Sequence, residues 1–165
     1  MITLKELDKV QAFKELSDEQ LTAIQQFCEK QEFKCGDRLF KEGDTADHLW
    51  LVIDGKVDLR FELPGHRPTS DETTISSFEA DDQKKRMLGW SCFIPPYKMM
   101  LSAYCVARTA SVVKIPRQSL LDLFDADPTM GYRVMSYLLK VVGFRFQQCQ
   151  DELAKCKGHG ILNSW

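Results

Sequence analysis

The spacing of hydrophobic residues is helical at both ends of the chain and strand-like in the middle. Near the start, Leu4, Leu7 and Val10 recur at steps of three, and Ser17 with Gln20 forms a capping box ahead of a second amphipathic segment. Short apolar runs separated by Gly and Asp follow, and helical spacing returns after a proline. The pattern predicts helices within 3–30, strands over 31–116, helices over 118–157 and a flexible tail over 158–165.

Three Gly-Asp or Asp-Gly pairs predict the turns of the strand-rich part. Asp54-Gly55 lies between the runs LWLVI and KVDLRFE. The pair is typical of a β-hairpin, because a tight hairpin turn needs positive φ at both central positions and Asp-Gly suits that conformation. Cys35-Gly36-Asp37 and Glu42-Gly43-Asp44 have the same turn chemistry. Many short strands at regular spacing indicate a sandwich or barrel, so we expect an α+β fold with one closed β-roll.

The last predicted helix carries two apolar faces. The first is a heptad-like seam that we expect to pair with the same helix of a second subunit. Its residues are Tyr132, Met135, Leu139, Val142, Phe146, Cys149, Leu153 and Cys156. The second face, in the first half of the helix, consists of Val134, Tyr137, Leu138, Val141 and Phe144 and is expected to pack on the β-roll. The alternative is that both faces pack within one chain.

Composition and charge exclude several classes of function. Lys and Arg total 22 against 24 Asp and Glu, so no excess of positive charge favours nucleic-acid binding. The first residues lack the apolar core of a signal peptide, and no apolar run has the length of a membrane-spanning helix. We therefore expect a cytoplasmic, single-domain protein of 165 residues that binds no membrane.

The residue types of metal sites and active sites are scattered. Six cysteines lie far apart without a Cys-x-x-Cys motif, and three histidines do not cluster. No nucleophile, base and acid stand at a spacing that supports catalysis. We expect reduced cysteines in the core or on the seam, no metal, no catalytic residues, and hence no enzyme.

Three segments give the chain a resemblance to the cyclic-nucleotide-binding domain superfamily. They are LSDEQLTAIQQF, FKCGDRLFKEGDTADHLWLVIDGKVDL and SLLDLFDADPTMGYRVMSYLLKVVGFRF. The resemblance covers about residues 10–150 and implies a double-stranded β-helix, or jelly roll, flanked by two N-terminal helices and a long C-terminal helix. Crp/Fnr-type regulators and kinase regulatory subunits use such domains as sensors.

In that family a phosphate-binding cassette holds the ligand. A Gly-Glu pair opens a short helix, and about ten residues later an Arg binds the cyclic phosphate while the Glu accepts the ribose hydroxyl proton. The corresponding cassette here is 88–102, LGWSCFIPPYKMMLS. Trp90 stands at the Glu position, and Met99 or Met100 stands at the Arg position, depending on the direction of counting. Cyclic nucleotide binding is therefore expected to be weak or absent.

Two alternatives remain for what the residues at the Glu and Arg positions do in this chain. An altered ligand site would use Gly89, Trp90, Ser91, Lys98, Met99, Met100 and Ser102. Alternatively, Trp90, Phe93, Ile94 and the methionines fill the old pocket as apolar core. Lys98 is the one cation of the loop, but it lacks the bidentate geometry of arginine.

The resemblance implies a non-enzymatic regulatory sensor that signals through its C-terminal helix. Its partner would be a small-molecule ligand, a cyclic nucleotide among the possibilities, and the seam of the last helix favours a homodimer. The alternative is a degenerate fold that serves as a protein-interaction or dimerisation module without a nucleotide. Only nine residues follow Cys156, so we expect no DNA-binding domain in this chain.

Overall fold

The computed structural model describes residues 2–62, 74–79 and 87–162. The helices are α1 (Leu4–Asp8), α2 (Asp18–Gln25), α3 (Arg117–Ala126) and α4 (Pro128–Leu162). The strands are β1 (Glu29–Lys34), β2 (Arg38–Phe40), β3 (His48–Asp54), β4 (Lys56–Arg60), β5 (Thr74–Glu79), β6 (Met87–Leu88), β7 (Ser102–Cys105) and β8 (Thr109–Pro116). A 3-10 helix spans Trp90–Phe93. Helix α4 reaches beyond residue 157 into the segment predicted as a tail, and residues 163–165 lie outside the described part.

The strands form two four-stranded antiparallel sheets with the orders β1-β8-β3-β6 and β2-β7-β4-β5. Phe40 of the second sheet contacts Trp50 of the first, with ring centroids 5.4 Å apart. Both rings belong to one buried apolar cluster that also takes in residues of all four helices. This architecture confirms the predicted α+β fold with a β-roll, two N-terminal helices and a long C-terminal helix.

The predicted hairpin at Asp54-Gly55 is wrong, although the turn is real. Gly55 has φ of +82°, but β3 pairs with β6 and β8 while β4 pairs with β5 and β7. Because β3 and β4 each have a neighbouring strand on both sides, they cannot pair with each other. The turn at Gly55 therefore connects the first sheet to the second. A Cβ atom on Gly55 would lie 2.3 Å from the Thr109 carbonyl oxygen, and this close approach adds a second reason for glycine.

The two predicted Gly-Asp turns are confirmed and are built alike. Gly36 and Gly43 have φ of +89° and +85°. In each turn the Asp carboxylate accepts a hydrogen bond from the amide three residues earlier, at 2.7 Å from Lys34 to Asp37 and 2.9 Å from Lys41 to Asp44. Positive φ at the third position and an Asp that bonds the backbone fix both turns locally.

The N-terminal helices are attached to the start of α4. The capping box is confirmed: the Ser17 amide donates to the Gln20 side chain at 3.0 Å, and the Gln20 amide donates to the Ser17 hydroxyl at 3.3 Å. The Gln20 amide group also donates to Asp127 at 2.5 Å, while the other Asp127 oxygen accepts from the Thr129 and Met130 amides. These bonds, the one from Gln20 first, lower the pKa of Asp127 below its usual 3.8.

A buried ion pair lies within the second sheet. Arg60 donates to Asp58 at 3.0 Å, and both side chains are almost fully buried. Asp58 also accepts from the Ser77 hydroxyl at 2.7 Å and from the Thr74 hydroxyl at 3.4 Å, both on β5. The guanidinium lies 5.8 Å from the centroid of the Tyr104 ring on β7. Three neighbouring strands thus share one charged cluster.

The first part of helix α4 packs on the β-roll and α3. Val134 and Leu138 are buried, at 0% and 4% exposed, as expected for the second face. Phe144, the last residue of the predicted second face, is 52% exposed, so the prediction that it packs on the β-roll is wrong. Along the predicted seam the side chains are open, with Tyr132 at 75% and Leu139 at 72%.

Close contact between α3 and α4 depends on Gly131. A Cβ atom at this position would lie 2.8 Å from Cβ of Phe124 and 3.4 Å from its Cα, so backbone atoms would have to move. The helices can approach because the residue has no side chain.

We predict that Gly131→Ala lowers the midpoint of urea unfolding, because α4 must move away from Phe124. Gly143→Ala in the same helix is the control, since nothing lies within 4 Å of its Cβ position. Alanine there should stabilise the helix by up to about 1 kcal/mol. Equal effects of the two substitutions would contradict the packing argument.

Candidate functional site

The cassette, residues 88–102, connects β6 to β7 and begins at a left-handed glycine. Gly89 has φ of +71°, and a Cβ atom there would lie 2.8 Å from Cδ1 of Trp50 and 2.9 Å from the His48 carbonyl oxygen. The 3-10 helix Trp90–Phe93 starts directly after it. Glycine is therefore required both by the backbone conformation and by the contact with β3.

The second half of the cassette is hydrogen-bonded to the turn around Gly43. The Gly43 amide donates to the Met99 carbonyl at 2.8 Å, and the Met99 amide donates to the Asp44 carbonyl at 2.9 Å. The Ala46 amide donates to the Tyr97 carbonyl at 2.8 Å. The Pro95–Pro96 bond is cis, and Tyr97 has φ of +56°. The loop thus has a defined course beside β2 and β3.

The two methionines at the candidate arginine position differ in environment. Met99 is 4% exposed, and its Cε atom lies 3.6 Å from where a Gly89 Cβ would be. Met100 is 63% exposed. Met99 therefore occupies the space between the two ends of the cassette, and Met100 points to the surface.

Lys98 and Ser102 are held by other groups. The exposed Lys98 ammonium donates to the Thr45 hydroxyl at 3.3 Å. Ser102 is fully buried; its hydroxyl donates to the Glu62 carboxylate at 2.5 Å and accepts from the Glu42 amide at 2.9 Å. The hydroxyl hydrogen of Ser102 is therefore already donated to a protein group.

The carboxylate of Glu62 is fixed by hydroxyl donors. In addition to Ser102, the Tyr104 hydroxyl donates to it at 2.7 Å, and Arg38 lies 4.0 Å away. The two hydroxyl donors, Ser102 first, lower the pKa of Glu62 below its usual value. The group therefore stays ionised and holds the end of β7 that adjoins the cassette.

Trp50 supplies a buried donor at the wall of the cassette. The residue is 8% exposed, and its indole N–H has no hydrogen-bond partner among the described residues. The neighbouring atom of the same ring, Cδ1, is the one that faces Gly89. An unsatisfied buried donor costs about 1–3 kcal/mol. Trp90 and Ser91, which directly follow Gly89 at the start of the 3-10 helix, are half-buried.

Sequence patterns did not indicate the residues that attach the cassette to the helices. The Arg117 guanidinium lies 4.5 Å from the centroid of the Tyr97 ring and donates to the Cys92 carbonyl at 3.4 Å. Phe93 stacks on Phe124 of α3, with centroids 6.4 Å apart and an interplanar angle of 29°. The one available signal was Gly131, since a glycine within a helical pattern often marks close packing.

Cys92 lies inside this contact and is not a reactive thiol. Burial raises its pKa to about 12, so it is protonated at neutral pH. Within the described ranges, no group of three or more His, Cys, Asp or Glu side chains could hold a metal ion. In the same part of the chain, no helix is both long and apolar enough to cross a membrane.

The Gly89 contact yields a second prediction. Gly89→Ala should destabilise the protein more than Gly36→Ala, because both glycines have positive φ but only Gly89 abuts other atoms. The backbone cost common to both is about 1–2 kcal/mol. Urea unfolding followed by tryptophan fluorescence measures the difference, and similar losses in both variants would contradict the role of the Trp50 contact.

Solved structures match the fold over most of the chain. A Geobacter metallireducens GS-15 protein described as cyclic nucleotide-binding is 27% identical, with a TM-score of 0.71, over 88% of this chain and 99% of its own. A cyclic nucleotide-binding domain from Methylobacillus flagellatus KT is 22% identical, with a TM-score of 0.69, over 90% and 79%. The sensor domain of the transcriptional regulator DNR from Pseudomonas aeruginosa is 16% identical, with a TM-score of 0.68, over 90% and 91%. The fold is thus shared with sensor domains of transcriptional regulators.

Comparison with curated proteins gives no match. The family model of the cyclic nucleotide-binding domain, in contrast, matches residues 30–127, more than half of the chain. That range includes the β-roll from the second residue of β1 onward, the cassette and α3. The chain belongs to the cyclic nucleotide-binding domain family, a family of ligand-binding regulatory domains.

Proposed function

We propose that this protein is a non-enzymatic regulatory sensor that passes a change at its cassette to its C-terminal helix. The observation that carries the proposal is the continuous contact from the cassette through Phe124 to α4. No catalytic residue takes part in it. Cytoplasmic location remains a prediction from the sequence.

The proposed transmission runs through three packed contacts. Phe93 at the end of the 3-10 helix stacks on Phe124, and Phe124 fills the space against Gly131. Arg117, at the start of α3, holds both the Tyr97 ring and the Cys92 carbonyl. A shift of the 3-10 helix would therefore displace α3, and a shift of α3 would displace the start of α4. A ligand that prefers one arrangement would change the population of the other.

The expected ligand differs from that of a family member with both charged anchors. Trp90 stands where the family has the Glu that accepts from the ribose, and Met99 or Met100 stands where it has the Arg; of these two, Met99 is the buried one. Each lost charge-assisted contact is worth about 1.5–3 kcal/mol, so the pair would lower affinity roughly 10²–10⁴-fold. The unsatisfied Trp50 N–H supports a ligand that offers an acceptor and displaces the flexible Met99 side chain.

A second candidate is an interaction or dimerisation module that binds no nucleotide. The burial of Met99 beside Gly89 favours it, because an apolar side chain already packs between the two ends of the cassette. The bonds that hold Lys98 and Ser102 point the same way. The two candidates differ in whether any cyclic nucleotide stabilises the protein.

We predict that cyclic AMP, cyclic GMP or a cyclic dinucleotide raises the thermal midpoint of the wild type only near millimolar concentration, and that Trp90→Ala abolishes the rise. The measurement is a thermal-shift titration of the purified protein. Phe27→Ala, which also removes a partly exposed aromatic ring but lies outside the cassette, is the control and should keep the response.

Three outcomes are informative. A rise lost only in Trp90→Ala supports the sensor with an altered cassette. A rise that persists in Trp90→Ala places the nucleotide elsewhere and overturns the proposed site. No rise at millimolar concentration of any of these nucleotides favours the interaction module.

We also propose that α4 pairs two copies of the chain along the predicted seam. Five large apolar residues of the seam, Tyr132, Met135, Leu139, Phe146 and Leu153, are 39–75% exposed, while Val142 is half-buried and the Cys156 side chain lies outside the described part. They recur with heptad spacing, which suits a twofold helix pair. Exposed apolar side chains in such a row indicate an interaction surface.

We predict that the wild type is a dimer at micromolar concentration and that Leu139→Glu makes it a monomer, because the substitution places a charge in the proposed interface. Lys140→Glu, an exposed neighbour off the seam, should leave the dimer intact. Sedimentation velocity gives the mass, and far-UV circular dichroism checks that both variants keep their helix content. A monomeric wild type would overturn the pairing.

A further inference from the structure

Two cysteines outside the cassette lie on neighbouring backbone segments. Cys35 is in the turn between β1 and β2, and Cys105 ends β7. The Gly36 amide donates to the Cys105 carbonyl at 2.8 Å, and the Cys105 amide donates to the Asp37 carbonyl at 2.9 Å. The Cys35 amide itself donates to the Arg108 carbonyl at 3.2 Å. These hydrogen bonds hold the turn at 35–37 beside the end of β7 and the residues that follow it.

The two thiols approach consecutive carbonyl groups of one turn. Sγ of Cys35 lies 3.8 Å from the Val106 oxygen, and Sγ of Cys105 lies 3.4 Å from the Ala107 oxygen. Cys105 also lies 3.7 Å from the oxygen of Phe33, two residues before Cys35. Both thiols are reduced in the structure. Gly36 and Asp37, the two residues after Cys35, are the ones that bond to Cys105, and adjacent hydrogen-bonded strands stand about 4.8 Å apart. A disulfide needs Cα atoms about 4.4–6.8 Å apart, so closing it would draw the turn that carries Cys35 toward Cys105.

The two residues differ in access to solvent. Cys35 is exposed, whereas Cys105 is 1% exposed. Burial raises the pKa of the Cys105 thiol, and the nearby Cys35 raises it further. An oxidant in solution therefore meets Cys35 first, and Cys105 is placed to react with the product.

We infer that Cys35 and Cys105 form a redox-sensitive dithiol that closes to an intramolecular disulfide when a peroxide oxidises Cys35. In the first step the Cys35 thiolate attacks one peroxide oxygen; an S–O bond forms, the O–O bond breaks, and hydroxide leaves and is protonated to water. In the second step the Cys105 sulfur attacks Sγ of Cys35; the S–S bond forms, the S–O bond breaks, and the departing hydroxide takes the Cys105 proton as water. Two thiols are oxidised and one peroxide is reduced.

The disulfide would close a loop that contains the whole cassette, since β2 to β7 lie between the two cysteines. A cross-link of this kind restricts the unfolded chain and stabilises the folded one. It would also fix the β1–β2 turn to the end of the strand that leaves the cassette. The site is therefore a candidate for oxidative modification that acts on the same β-roll as the proposed ligand.

The test is peptide mapping of the purified full chain after treatment with a small excess of hydrogen peroxide. Free thiols are alkylated under denaturing conditions, and the digest is analysed without reductant. We expect a Cys35–Cys105 linked peptide in the wild type and a rise in thermal midpoint that dithiothreitol reverses. Cys35→Ser should lose both, and it replaces an exposed side chain, so the fold should persist.

Cys28→Ser is the matched control. Cys28 is half-buried, and burial raises its pKa to about 12, so its removal should leave the linked peptide unchanged. If Cys35 is found as sulfinic acid while Cys105 is recovered in the alkylated form, and so was a free thiol, the proposal is overturned. A linked peptide that joins Cys35 to any other cysteine would overturn it as well.

Discussion

The contact between Phe124 and Gly131 is the constraint on which the rest of the arrangement depends. Because Gly131 has no side chain, α4 approaches the backbone of α3, and the ring of Phe124 remains free to stack on Phe93. If α4 were pushed away, Val134 and Leu138 would lose their buried positions in the same step. Phe124 thus contacts the cassette through Phe93 and the final helix through Gly131.

The cassette combines a rigid frame with an apolar interior. Its frame consists of backbone hydrogen bonds to the Gly43 turn and of the contact between Gly89 and Trp50. Its interior contains Met99, whose unbranched side chain has several accessible rotamers and can leave a site at low cost. The indole N–H of Trp50 would gain a partner if an acceptor entered.

Local sequence signals predicted those parts of the structure that are determined locally. The Ser17–Gln20 capping box and the two Gly-Asp turns depend on residues at most three positions apart, and each formed as expected. The Asp54-Gly55 signal gave the turn but not the sheet, because strand pairing depends on which edges are free. Likewise, the hydroxyl of Ser102 bonds to Glu62, forty positions away, and no spacing rule indicates such a partner. The stack of Phe93 on Phe124 is another contact of this long-range kind.

The buried ion pair on β4 has a consequence for how this sequence can change. Replacing either Asp58 or Arg60 alone would leave the other charge buried without its counter-charge, which is strongly destabilising. Replacing both by apolar residues of similar volume is far less costly. The two positions should therefore vary together during evolution, with the β5 hydroxyls of Thr74 and Ser77 changing once the carboxylate they bind is gone.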